Sequence, residues 1–369
     1  MNSDSVLSLV RPDILALTPY SSARKESSGG RIWLDANENP KTPAASLPSV
    51  ALAKEGWLKL NRYPEPQPAD LAAHLATLYG VASNCLLITR GSDEGIDLLL
   101  RTFCRAGQDS ILITPPTYGM YSVAAGIQGA GVVRVPLVRE QDFALDSAAV
   151  IAQGLAAPAG EGRVKLVFLC SPNNPTGQLL DRGGVLSVTR ALAGRAVVVA
   201  DEAYVDFSGQ PSLAAEIPAN PNLVVLRTLS KAYGLAGARV GTTIADPALI
   251  AVLQKVIAPY PVPTPVRQAA LAALTPAGRA AAQESIRTLI AERARLAGVL
   301  AKLPAVKHVW SSDANFLLVE VADSARGMAA GRAAGVIWRD RSKDVPHTVR
   351  ITVGTADENN TTLEALSRV

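Results

Sequence analysis

Cysteine is scarce in this chain. Cys85, Cys104 and Cys170 are the only three. They form no CxxC pair and no even set, which argues against a disulfide framework and makes a reducing cytoplasm the simplest compartment. Histidine is equally rare. His74, His308 and His347 lie far apart with no metal-ligand spacing, so no metal is expected. No apolar run approaches the roughly 20 residues that cross a bilayer. Residues 1–11 lack a basic stretch followed by an apolar one, so no export signal is expected. Basic runs are missing as well. The 36 lysines and arginines are scattered among 32 acidic residues, giving a net charge of +4, and nucleic-acid binding gains no support. Neither GxGxxG nor GxxxxGK[ST] occurs, which removes the usual signals of nicotinamide and nucleotide binding.

What is present is a large apolar fraction, 48% of 369 residues, enough for one large and one small domain. Short apolar runs at 86–89, 110–114, 132–135, 165–170, 196–200, 223–226 and 240–245 read as strands. Residues 93–104 read as a helix, with Ile96, Leu99, Leu100 and Phe103 on one face. Nearly continuous apolar strands interleaved with helices predict an α/β fold, a mostly parallel sheet covered on both faces. Four prolines within 258–265 mark a border and exclude regular helix there. Beyond it, 267–303 is mainly helical, and 306–310, 316–321 and 349–353 supply short strands of a smaller α+β part. The expected division is an N-terminal arm at 1–38, a large domain at 39–262 and a small domain at 263–369.

In open α/β sheets, ligands bind beyond the carboxyl ends of strands. After the sixth strand comes Thr228-Leu229-Ser230-Lys231-Ala232, with Arg239 eight positions past the lysine. A lysine in a tight, partly dry loop can lose its proton and form a Schiff base. Ser230 and Arg239 could hold a phosphate. Together they suggest pyridoxal phosphate, which carries an aldehyde and a phosphate. A solvated lysine is the plain alternative. After the first strand, Gly91-Ser92-Asp93 opens a helix and could form a phosphate cup, or serve as an ordinary cap. Tyr118 follows a rigid Pro115-Pro116 turn and could stack on a flat ring, or pack as any tyrosine does. Asn174, in Ser171-Pro172-Asn173-Asn174-Pro175-Thr176-Gly177, could aim an amide at a ring oxygen, although a plain turn explains the loop. Asp201 follows four apolar residues, a costly place for a charge. It could pair with a protonated pyridine nitrogen or with an arginine, and Tyr204 could reach the ring oxygen. Each group is ambiguous alone, but together they equip one ligand.

This order of motifs resembles the class I/II aminotransferases, which are fold-type I pyridoxal-phosphate enzymes. Within them it is more closely similar to the histidinol-phosphate branch. The resemblance also rests on Leu17-Thr18-Pro19-Tyr20, Asp35-Ala36-Asn37-Glu38-Asn39-Pro40, Asn61-Arg62-Tyr63-Pro64-Glu65, Tyr118-Gly119-Met120-Tyr121 and Arg350-Ile351-Thr352-Val353-Gly354-Thr355. It implies that Lys231 binds the cofactor aldehyde and moves the proton, that Asp201 pairs with the pyridine nitrogen, and that Asn174 and Tyr204 contact the phenolic oxygen. Tyr118 stacks on the ring, and Ser92, Asp93, Ser230 and Arg239 hold the phosphate. Tyr63 reaches the partner subunit's cofactor, which implies a homodimer with shared active sites. Arg339, Arg350, Asn174 and Tyr20 bind the substrate. A forked guanidinium suits carboxylate and phosphate alike, though a solvated charge is the plain reading of Arg339. The implied reaction exchanges an amino group between glutamate and imidazole-acetol phosphate in histidine biosynthesis. An aromatic or other amino-acid aminotransferase, or an amino-acid phosphate decarboxylase on the same fold, remain alternatives. A cofactor-sensing regulator, which would need a DNA-binding extension, is disfavoured because the arm before Trp33 reads as too short and lacks a basic helix.

Overall fold

The computed structural model describes residues 30–41, 60–156 and 163–369. Tyr20 lies outside them. The strands in chain order are β1 (Ile32–Trp33), β2 (Leu86–Thr89), β3 (Asp109–Ile113), β4 (Gly131–Arg134), β5 (Arg163–Cys170), β6 (Val197–Asp201), β7 (Leu223–Thr228), β8 (Gly241–Ile244), β9 (Val306–Val309), β10 (Phe316–Val321), β11 (Val336–Ile337), β12 (Arg339–Asp340) and β13 (Thr348–Thr352). The described helices are α1 (Ala69–Tyr79), α2 (Gly91–Phe103), α3 (Met120–Gln128), α4 (Ser147–Leu155), α5 (Arg182–Ala191), α6 (Pro247–Leu253), α7 (Thr264–Leu274), α8 (Pro276–Leu300), α9 (Ser324–Ala333) and α10 (Ala356–Ser367).

Seven strands form the main sheet, in the order β2-β8-β7-β6-β5-β3-β4. The pairs from β7 through β4 are parallel, and β8 runs antiparallel to both β2 and β7. Both faces are buried because successive side chains alternate. On β5, Leu166, Phe168 and Cys170 join the core under α2, α3 and α6, while Val167 and Leu169 join the opposite core under α1, α4 and α5. This two-sided burial is why the strands read as unbroken apolar runs rather than alternating ones.

A four-stranded antiparallel sheet, β12-β13-β10-β9, holds the C-terminal part. Its core combines Leu317, Val319, Val349 and Ile351 with Leu296, Leu300 and Leu366 from α8 and α10. A separate parallel pair joins β1 to β11 and ties residues 32–33 to this part of the chain.

Two local expectations are corrected. Residues 258–265 are not free of helix, since α7 begins at Thr264 with Pro265 in its first turn. A proline there loses no hydrogen bond, because first-turn N–H groups have no partner within the helix in any case. The helix expected at 93–104 begins earlier, at Gly91. Ser92 and Asp93 are therefore first-turn residues rather than caps.

Candidate active site

The carboxyl ends of β2, β3, β5, β6 and β7 open toward one cavity of about 370 Å³. Eleven of the thirteen singled-out residues line it: Ser92, Asp93, Tyr118, Asn174, Asp201, Tyr204, Ser230, Lys231, Arg239, Arg339 and Arg350. Tyr63 does not. It is 81% exposed and stacks on Tyr260 at 4.5 Å.

Lys231 follows β7 on a turn braced by Thr228, whose Oγ1 donates to Ser230 Oγ at 2.9 Å. The Lys231 amine donates to the Ala36 carbonyl at 2.9 Å and lies 5.9 Å from the centre of the Tyr204 ring. Burial lowers its pKa to about 8, and the positive charges of Arg350 and Arg239 push the same way. A usable share of the amine is therefore unprotonated near neutrality.

Asp201 ends β6 and is 2% exposed. Burial raises its pKa to about 6 against two opposing hydrogen bonds. Tyr121 Oη donates to Oδ2 at 2.7 Å, and the Ala203 N–H donates to Oδ1 at 3.2 Å. Tyr204 is buried beside it, and its hydroxyl accepts from Asn37 Nδ2 at 3.1 Å. Burial raises that phenol's pKa well above its ordinary value, so it remains a hydroxyl with a proton to donate.

The N-terminus of α2 forms the other end of the cavity. Gly91 has φ +74°, and a Cβ there would meet Arg239 Nη2 at 2.5 Å. On the other side, a Cβ on Gly241 would collide with the Gly91 carbonyl carbon. Glycine at both positions lets the α2 backbone sit directly against β8 and the Arg239 guanidinium. The first-turn N–H groups of a helix have no partner within it and suit an anion. Arg239 Nη2 pairs with Asp93 Oδ2 at 3.1 Å, and Tyr118 Oη donates to Asp93 Oδ1 at 2.9 Å. The donor set at this end, Arg239, Ser230 and the first turn of α2, suits a phosphate. The amine and the buried carboxylate lie beyond it in the same cavity, so the residues present fit pyridoxal phosphate.

The second sheet supplies the opposite wall. Arg339 of β12 and Arg350 of β13 are direct cross-strand partners, 7% and 6% exposed. Like charges placed opposite one another repel, so two buried arginines in this arrangement suit an anion between them. The solvated reading of Arg339 is overturned by its burial. Arg350 Nη1 donates to Asn174 Oδ1 at 2.6 Å and Nη2 to the Asp35 carbonyl at 2.6 Å. A guanidinium has only donors. Arg350 therefore fixes the orientation of the Asn174 amide, with Oδ1 toward the arginine and the NH2 turned away.

Several lining residues had no role assigned from sequence. Asp35 and Asn37 are buried polar residues following β1, and Arg341 and Asp344 form a 2.8 Å ion pair. Behind the lining, Tyr121 is fully buried against Asp201. The polar run Asp35-Ala36-Asn37-Glu38-Asn39 was the available signal for the first two, since buried polar groups need partners.

The pattern of aminotransferase class I and II matches residues 30–366, and the chain belongs to that family. It is 47% identical to the histidinol-phosphate aminotransferase of Stenotrophomonas maltophilia, over 99% of this chain and 97% of that protein. It is 44% identical to the enzyme of that name from Aeromonas hydrophila, over 98% of each. The solved histidinol-phosphate aminotransferase of Sinorhizobium meliloti, in complex with pyridoxal-5'-phosphate, is similar in structure. Its TM-score is 0.84 at 25% identity, covering 99% of this chain and 98% of that one.

Proposed function

We propose that this chain is a histidinol-phosphate aminotransferase, a pyridoxal-phosphate enzyme that interconverts histidinol phosphate plus 2-oxoglutarate with imidazole-acetol phosphate plus glutamate. The observation that carries this reading is a single cavity with an amine and a buried carboxylate on one side and a paired-arginine wall on the other. Near full-length similarity to enzymes of that name supports it.

When bound, pyridoxal phosphate supplies an aldehyde that takes up amines and a protonated ring that accepts the electron pair released at the substrate's α-carbon. Lys231 would hold the aldehyde carbon and, once displaced by a substrate amine, remove and return the proton at the α-carbon. Its lowered pKa suits that task near neutral pH. Asp201 would hold the proton on the ring nitrogen. The Asn174 NH2 and the Tyr204 hydroxyl would donate to the phenolic oxygen, and Tyr118 would pack on the ring. Ser92 and Asp93 N–H groups, Ser230 and Arg239 would bind the phosphate. Arg339 and Arg350 would bind the carboxylate of glutamate and the phosphate of histidinol phosphate in turn, with Asn174 beside them. Tyr20 from the arm would add a contact to the substrate phosphate. Tyr63 would serve the site of the partner subunit, which makes the working unit a cytoplasmic homodimer.

Amino-donor profiling tests this. Glutamate, histidinol phosphate and phenylalanine are each added to the cofactor-loaded protein, and the visible band of the lysine-bound cofactor is followed. Loss of that band with glutamate and with histidinol phosphate is expected. A preference for phenylalanine over histidinol phosphate would move the assignment to an aromatic aminotransferase. No change with glutamate, together with carbon dioxide release from an amino-acid phosphate, would make the protein a decarboxylase.

A further inference from the structure

Tyr121 stands outside the roles assigned above. It lies in the first turn of α3, fully buried, with its ring stacked on Phe168 of β5 at 4.7 Å and 15°. Tyr118 meets it edge-on at 5.6 Å and 88°. A phenol in such an apolar wall needs a polar partner, and the partner here is a carboxylate. The Tyr121 hydroxyl donates to Asp201 Oδ2 at 2.7 Å, a full-strength O–H···O hydrogen bond. The other donor to Asp201, the Ala203 N–H, is farther away at 3.2 Å and reaches the other oxygen. The neighbouring Cys170 thiol lies 3.5 Å from the Pro172 carbonyl and also contacts the Tyr121 hydroxyl.

The environment of Asp201 makes this bond consequential. A carboxyl at the end of a buried strand drifts toward its neutral form. A neutral acid cannot balance a protonated ring nitrogen. A donor that binds through its hydroxyl and is locked between two aromatic rings favours the anion, with no side-chain freedom left to lose when the cofactor arrives. The contacts continue from Tyr118 through Asp93 to Arg239. The group facing the ring-nitrogen end and the group facing the phosphate end are therefore joined by one continuous set of contacts.

We propose that Tyr121 is a positioning residue of the cofactor site, whose hydroxyl keeps Asp201 ionised and aimed at the ring nitrogen. This rests on the pyridoxal-phosphate reading. The test uses apoprotein titrated with pyridoxal phosphate and with its 1-carba analogue, in which C–H replaces the ring nitrogen, binding being read by quenching of tryptophan fluorescence. Wild type, Tyr121→Phe, Asp201→Asn and the double variant are compared. Tyr121→Phe is expected to weaken pyridoxal phosphate by about 10-fold, the size of one hydrogen bond to a charged group, and to leave the analogue within about 2-fold. In the Asp201→Asn background the same change is expected to have no further effect. Equal weakening of both ligands, or a loss of the same size in the Asp201→Asn background, would reduce Tyr121 to packing. No loss at all would make the bond idle. Wild type that fails to bind pyridoxal phosphate would instead remove the functional reading itself. Should Tyr121→Phe not fold, the infrared difference between wild-type and Asp201→Asn apoprotein at neutral pH decides. Carboxylate bands alone support the proposal, and a protonated-acid stretch overturns it.

Discussion

In the proposed mechanism, Asp201 shows at residue scale how function is bought with stability. Holding the Asp201 carboxylate in the dry core raises its pKa from 3.8 to about 6, which costs the apoprotein up to about 3 kcal/mol at neutral pH. The folded state binds the proton more tightly than the unfolded chain does. Stability from this group is therefore complete below the unfolded value and is lost as pH rises through the folded one. Asp201→Asn is expected to raise the urea midpoint of the apoprotein at pH 7.5, with the advantage vanishing below about pH 4, while transamination collapses. An equal gain at both pH values would show that the carboxylate's charge is not what the fold opposes. Arg350→Ala is expected to lower kcat/KM for histidinol phosphate about 100-fold, and far less for histidinol, which lacks the phosphate. An unchanged ratio between the two would move the anion site elsewhere. The placement of Lys231, Asp201 and Asn174 on the cavity was legible because each stands at or past the end of a readable strand. Asp35 and Asn37 follow a strand of only two residues, too short to show a period. The pairing of Arg339 with Arg350 depends on a register between strands separated by a loop, which no local pattern encodes.

Strand positions and the α/β class were legible at the scale of elements, because burial on both faces leaves an unmistakable apolar run. Boundaries shifted by one or two residues where polar ends such as Asp109 and Thr228 continue the backbone pairing. The start of α2 was misplaced for a different reason. Gly91 takes a left-handed φ that no side-chain cap announces, and Arg90 stands at the N-cap with no capping bond. In the proposed site that start would hold the phosphate. Gly91→Ala would force a Cβ into Arg239 and add a left-handed penalty of about 1–2 kcal/mol. Cofactor affinity is expected to fall by about 10-fold or more, with helical circular dichroism retained. Unaltered affinity in a folded variant would mean that the α2 terminus does not hold the phosphate.

At the scale of the whole molecule, one singled-out residue among the described ones, Tyr63, does not line the cavity. Tyr20 lies beyond the described residues, and Tyr63 faces solvent on a stacked pair with Tyr260. In the proposed homodimer the target of Tyr63 is a second copy, and no reading of one chain can place it. Complementation tests this directly. Lys231→Ala and Tyr63→Ala proteins are mixed under conditions that exchange subunits. Half of the dimers then carry one intact site, so activity should approach about a quarter of wild type if Tyr63 serves the other subunit. A mixture no more active than Tyr63→Ala alone would leave each protomer self-sufficient.

The two walls of the cavity come from separate sheets. The amine, carboxylate and phosphate cradle sit on strand ends of the large sheet, and the arginine pair sits on two adjacent strands of the small one. Inheritance can therefore act on them separately. If the proposed roles hold, drift in a few positions of β12 and β13 changes which acid is welcomed while the bond-making apparatus stays untouched, so descendants of such a scaffold can diversify in diet without relearning their chemistry.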